Sequence, residues 1–255
     1  MKVFVNPENR VSDRGSVVTI GSFDGVHYGH KVILNELTKT ASLNNLDSAL
    51  ITLFPHPRKV LGLDLEGFGV LNSLKEKEQL LGDASLDILV EVEFTKEFSM
   101  LSAREFAEKY LVERLNAKVV IIGYDHHLGR DRKGGFEVLQ TLGKEFGFEV
   151  VEISKQDVNN HKVSSTVIRE ALKRGDMTTA SEALGYRYFI EGYIDDKGYF
   201  FADENMKLFP KNGFYEAKLV LNDTEKSLVV EILNDSVKIP SSMGVSSQKN
   251  VKIIL

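Results

Sequence analysis

Along the first two thirds of the chain, short apolar runs alternate with stretches in which apolar residues recur every three or four positions. The β-branched run Val17-Val18-Thr19-Ile20 ends in Gly21 and predicts a buried strand. Behind it, Val32, Ile33, Leu34 and Leu37 put one apolar face on a helix beginning near Gly29. Residues 48–54 predict the next strand, stopped by Pro55, and 86–94 another. Lys118-Val119-Val120-Ile121-Ile122-Gly123 is the clearest buried strand, and 148–153 predicts one more. Ser73-Leu74-Lys75-Glu76 and Ser102-Ala103-Arg104-Glu105 have capping-box spacing, so each opens a helix. Further helices are predicted over 136–146 and 164–173.

Strands alternating with helices predict an α/β fold with a Rossmann-like parallel sheet covered on both faces. Ligands of such sheets bind at the carboxyl ends of the strands, so the loops after Ile20, Leu53 and Ile122 should converge. Beyond Gly185 the pattern changes. Residues 188–194, 198–202, 214–221 and 228–233 are short runs broken by turn residues such as Asn222-Asp223, predicting a small antiparallel β domain, a sheet or partial barrel. The expected domains are therefore 1–185 and 186–255.

Composition narrows the function. The 255 residues are 42% hydrophobic and 27% charged, enough apolar material for a core and too much for a disordered chain. The net charge of −5 leaves no global basic surface for duplex nucleic acid, while a local basic pocket for phosphates stays open. Cysteine is absent, which excludes disulfides, thiolate metal sites and cysteine nucleophiles. No run reaches the roughly 18 apolar residues of a membrane helix, and the start of the chain lacks the apolar core of a secretion signal. A cytoplasmic location without membrane partners is expected. All six histidines lie within the first 161 residues, and the segment from Tyr186 onward has Arg187 as its one arginine, so phosphate chemistry belongs to the front.

Two constellations carry that chemistry. Gly21-Ser22-Phe23-Asp24-Gly25-Val26-His27-Tyr28-Gly29-His30 links a strand to a helix, and its two imidazoles near a helix N-terminus make an anion site. Gly29 removes a side chain where a nucleotide could approach. The alternative is two unrelated histidines near a turn. Ser164-Ser165-Thr166-Val167-Ile168-Arg169 sets three hydroxyls and a guanidinium on the first turns of a helix, as a polyphosphate clamp or as plain caps.

Together these segments resemble the bacterial FAD synthetase family, within the cytidylyltransferase-like nucleotidyltransferases, from about Val17 to Tyr193. The resemblance also rests on Phe54-Pro55-His56-Pro57, on Gly123-Tyr124-Asp125-His126-His127-Leu128-Gly129, on Gly175-Asp176 and on Ala183-Leu184-Gly185-Tyr186-Arg187-Tyr188. It implies adenylyl transfer from Mg²⁺-ATP to FMN, giving FAD. It further implies that His27, Gly29 and His30 meet ATP within a turn that includes Gly21, Phe23, Asp24 and Gly25, with Ser164, Ser165, Thr166 and Arg169 on the phosphates. His27, His30 and Arg169 are the implied catalytic residues, and Phe54, Pro55, His56, Pro57 and Asp125 the flavin-binding ones. Read without the family, the proline-rich loop is a stiff wall for a flat ring or an ordinary rigid turn.

The chain departs from the family where His126 and Leu128 replace frequent aromatics. His126, His127 and Asp131 admit a metal reading, which the family account of the loop displaces, so no protein-held metal is expected. Arg130 to Lys133 reads equally as a phosphate-closing loop or a solvated one. The tail lacks any Pro-Thr, part of the motif that holds ATP in the kinase half of bifunctional relatives, although Pro210-Lys211-Asn212-Gly213-Phe214-Tyr215 resembles a strand of that half. The expectation is a truncated riboflavin-kinase-like barrel without catalysis. A transferase with another phosphate acceptor, a flavin-binding regulator or carrier on a retired enzyme, and a full bifunctional enzyme are the competing readings.

Overall fold

A computed structural model of the chain describes every residue except Asp64, Asp125, His127, 131–133, 155–162, Asp223 and 244–246. The chain forms two compact units, each interrupted in sequence. The first comprises Met1–Phe23, Gly29–Asp64 and Glu78–Lys162, and the second Asp24–Tyr28, Leu65–Lys77 and Val163–Leu255.

The first unit is built on six strands: β1 (Lys2–Val5), β2 (Ser16–Ile20), β3 (Asp47–Phe54), β4 (Ile88–Glu93), β5 (Ala117–Gly123) and β6 (Glu149–Ile153). All pair in parallel, in the order β1-β4-β3-β2-β5-β6. From β2 the chain winds outward through β3 to β4, then returns to place β5 on the other side of β2. The order therefore reverses between β2 and β5, and the crevice at their carboxyl ends is the switch point where open α/β sheets take ligands. Every residue of β2 is buried, as its unbroken β-branched run requires. Val18, Ile20, Ala49, Ile51, Val90, Val120 and Ile122 form the core with Phe106, Leu111 and Leu139 from the covering helices.

The predicted helices occur at Tyr28–Leu43, Leu74–Asp83, Phe136–Phe146 and Ser165–Arg174. The box at Ser102 closes as its spacing dictates: Ser102 caps Glu105 N while the Glu105 carboxylate accepts from Ser102 N at 2.8 Å. That helix, Ala103–Phe106, widens into a π-helix over Ala107–Arg114, which the pattern of apolar residues did not show. Ser102→Ala is expected to cost about 1 kcal/mol, read as a lower urea midpoint at unchanged slope.

The second unit holds a closed antiparallel barrel in the order β10-β11-β8-β7-β12-β9. Its strands are β7 (Phe189–Ile194), β8 (Tyr199–Ala202), β9 (Gly213–Leu221), β10 (Thr224–Leu233), β11 (Ser236–Lys238) and β12 (Gln248–Ile254). The expected sheet or partial barrel is thus complete, because β11 and β12, which the sequence reading passed over, close it. β12 carries Lys249, Asn250 and Lys252, which break its apolar run, yet it pairs with both β7 and β9. Helix Met177–Leu184 was also missed, although Asp176 caps its start on Thr179 N and Gly185 ends it at φ 72°. Ile190, Phe200, Leu219, Val230, Ile232 and Ile253 fill the barrel, with Ile168, Leu172 and Leu184 in the same core. Among the described residues no helix is long and apolar enough to cross a membrane.

Candidate active site

In the first unit, the three loops expected to converge do so. A cleft of about 400 Å³ is lined by Thr19 to Phe23 at the end of β2, Leu53, His56 and Pro57 at the end of β3, and Gly123, His126 and Leu128 after β5, with His30 and Ile33 from the Tyr28–Leu43 helix. It lies at the switch point of the sheet. Three imidazoles line it, and no carboxylate does among the described residues. The His30 ring stacks on Phe23, with centroids 4.5 Å apart and planes at 27°, which fixes its orientation. The turn is anchored to the sheet by Thr52 Oγ1, which donates to Ser22 O at 3.2 Å.

His56 precedes the short helix Pro57–Val60, and its Nδ1 accepts from Arg58 N at 3.2 Å. An accepting Nδ1 leaves Nε2 as the protonated nitrogen of the neutral ring. Pro57 occupies the first helical position, where its missing N–H is harmless. His56 and Pro57 of the proline-rich loop line the cleft. Phe54 and Pro55 are not among its lining residues, and Phe54 is partly exposed. Asp125 lies outside the described residues, as do His127 and Asp131 of the metal reading and most of the Arg130 to Lys133 loop. His126 was read as a departure from the family and as part of the metal alternative, and Thr19, Ser22 and Ile33 were named in a strand, a turn and a helix without a binding role. The signal for Thr19, Ser22 and His126 was position, on or after a strand end, and for Ile33 its place on the first helix.

In the second unit, the segment Asp24–Tyr28 and the Ser165–Arg174 helix meet directly. Gly25 has φ 93° and Val26 φ 36°, so a β-branched residue sits in the left-handed region. A Cβ on Gly25 would lie 2.8 Å from Leu71 Cδ1, so space as well as conformation selects glycine there. Asp24 is buried, and its carboxylate accepts from Leu71 N at 2.9 Å and Asn72 N at 3.2 Å. The Arg169 guanidinium forms an ion pair with the same carboxylate. Ser165 Oγ donates to Asp24 O at 2.9 Å, and Tyr186 OH to Gly25 O at 2.7 Å. Burial pushes the Tyr186 phenol well above its ordinary range, so it remains a donor at every physiological pH. His27 is buried in this turn. Ser164 accepts from Val167 N as the helix cap, and Ser164 and Thr166 are exposed at the first turn.

A parallel sheet with its cleft at the switch point, and a strand–turn–helix bearing two histidines, define an α/β nucleotidyltransferase. The chain belongs to the FAD synthetase family, which it matches over residues 9–167. It is 33% identical to a bifunctional riboflavin kinase/FMN adenylyltransferase of Listeria monocytogenes over 221 residues, covering 83% of this chain and 70% of that protein. The proteins of the same description from Haemophilus influenzae and Escherichia coli K12 are 34% and 31% identical over 226 and 186 residues. Those matches cover 85% and 73% of this chain, and 73% and 59% of the relatives. The crystal structure of a macrolide-efflux protein from Streptococcus pneumoniae shares the fold, with a TM-score of 0.81 at 21% identity, over 99% of this chain and 89% of that one.

Proposed function

We propose that the chain transfers AMP from Mg²⁺-ATP to FMN, giving FAD and pyrophosphate, without phosphorylating riboflavin. The observation that carries this is the cleft itself: the Tyr28–Leu43 helix and the ends of β3 and β5 bring His30, His56 and His126 to one cavity at the switch point of a sheet in a chain that matches the FAD synthetase family. The residues 1–185 are assigned the adenylyl transfer, and 186–255 a riboflavin-kinase-like barrel. Lack of kinase activity is supported by the absence of any Pro-Thr in the chain. The reaction is placed in the cytoplasm.

A phosphate monoester is already an anionic nucleophile at neutral pH, so no strong base is needed. A phosphate oxygen of FMN attacks the α-phosphorus in line, the bond to the bridging oxygen breaks, and pyrophosphate leaves with the electron pair. Catalysis is then positioning and charge neutralisation. His27 and His30 are assigned to the α-phosphate and its bridging oxygen, with Gly21, Phe23, Gly25 and Gly29 shaping the ATP side. Ser164, Ser165 and Thr166 are assigned to the departing pyrophosphate. Phe54, Pro55, His56, Pro57 and Asp125 are assigned to the flavin. The magnesium ion enters with ATP, held by substrate oxygens and water.

The test is chromatographic, with Mg²⁺-ATP and either FMN or riboflavin. FAD from FMN and no FMN from riboflavin is the expected result. Flavin binding without pyrophosphate release would favour a regulator or carrier. Turnover of nicotinamide mononucleotide, glycerol phosphate or pantetheine phosphate in place of FMN would move the acceptor. FMN formed from riboflavin would restore the kinase.

A further inference from the structure

The sequence sets Arg169 beside three hydroxyls, where it reads as a phosphate ligand, yet its guanidinium is committed inside the second unit. Its Nη2 pairs with the Asp24 carboxylate, its Nε donates to Gly69 O at 2.8 Å, and the Phe68 ring covers it at 4.5 Å. The two side chains of the pair are 11% and 4% exposed. A guanidinium pointed at solvent-borne phosphates would show the opposite burial and an unfilled fork.

What the pair holds is a strained turn. Gly25 and Val26 both have positive φ, and such a backbone persists only where its surroundings over-determine it. Five contacts do so here. Arg169 and the two N–H groups of Leu71 and Asn72 fix the Asp24 carboxylate, Ser165 fixes the Asp24 carbonyl, and Tyr186 fixes the Gly25 carbonyl. His27 follows within the same turn, so its imidazole is placed by these bonds.

We propose that Arg169 is a positioning residue, acting through Asp24 to lock the turn that carries His27, and is not a ligand of the ATP phosphates. The part of this concerning turnover rests on the adenylyltransferase reading. A displacement of a catalytic group by about 1 Å costs on the order of 10²-fold in rate, so the loss should fall on kcat.

The experiment is a double-mutant cycle of Asp24→Asn and Arg169→Met, read by kcat, KM for ATP, calorimetric pyrophosphate affinity and hydrogen exchange of residues 24–28. Each single variant is expected to lower kcat by about 10²-fold with KM for ATP and pyrophosphate affinity within about threefold of wild type, and the double variant to be no worse than the poorer single. Exchange of the 24–28 amides should rise in both. Arg169→Lys, which keeps the charge and loses the planar fork, is expected to behave like Arg169→Met; recovery of kcat and pyrophosphate affinity by lysine would overturn the proposal. So would a tenfold or greater loss of pyrophosphate affinity in Arg169→Met with none in Asp24→Asn, or unchanged exchange in both. Where Arg169→Met fails to fold, the Asp24→Asn and Arg169→Lys arms decide. If wild type makes no FAD, the adenylyltransferase reading fails, while hydrogen exchange and pyrophosphate binding still judge Arg169.

Discussion

His30→Ala is expected to lower kcat for FAD formation by about 10²–10³-fold, the usual cost of deleting one donor aimed at developing charge in a closed site. The ring lines the cleft, and its stacking on Phe23 means that little reorganisation is needed when charge builds on the α-phosphate. KM for ATP and FMN should change little, because the interaction strengthens on the way to the transition state. Steady-state kinetics with both substrates varied, beside a thermal melt to show that the fold persists, makes the check. Turnover within about threefold of wild type would remove His30 from the catalytic assignment.

The largest expected loss of stability belongs to Glu76→Gln. Glu76 and Lys207 form an ion pair whose side chains are 0% and 1% exposed. Three donors converge on that carboxylate: Ser73 N at 2.9 Å, Glu191 N at 2.7 Å, and the Lys207 ammonium. Lys207 also donates to Leu71 O at 2.6 Å and lies over the Tyr188 ring. Burial pushes the Lys207 ammonium below its ordinary pKa, with Glu76 pulling against that shift. A carboxamide keeps the shape but turns one acceptor oxygen into an NH₂ group facing donors, and leaves the ammonium without a counter-charge. Removing one partner of such a pair costs about 3–5 kcal/mol. Urea unfolding should show the midpoint fall, and a loss under about 1 kcal/mol would mean that the pair relaxes to water.

Both capping boxes were legible in the sequence because their partners are three residues apart. Only the Ser102 box is fully described by that spacing. Glu76 closes its local box and also serves Lys207 and Glu191, far along the chain, and nothing near Glu76 announces those partners. Asp24 and Arg169 show the same division. Each sits in a motif whose residue types suit phosphate binding, and their separation of 145 positions hides the bond that they share.

Unbroken apolar runs marked β2, β3 and β5, which are buried on both faces, and periodicity marked the Phe136–Phe146 helix, buried on one. Both signals failed for exposed or polar elements. β1 is an edge strand with exposed Val3 and Val5, and β12 interrupts its apolar run with charges, so neither shows alternation until a neighbouring strand satisfies its backbone.

The sequence by itself determined the α/β class, the loops that line the cleft, the presence of antiparallel strands toward the end of the chain, and the family. These follow from local patterns of apolar residues, caps and short motifs. Only the tertiary structure decided that the β domain closes into a barrel, that His126 joins His30 and His56, and that Arg169 is paired with Asp24 in the interior. Those outcomes depend on which distant groups satisfy one another's charge and hydrogen bonds once water is excluded, and spacing along a chain carries no record of that choice.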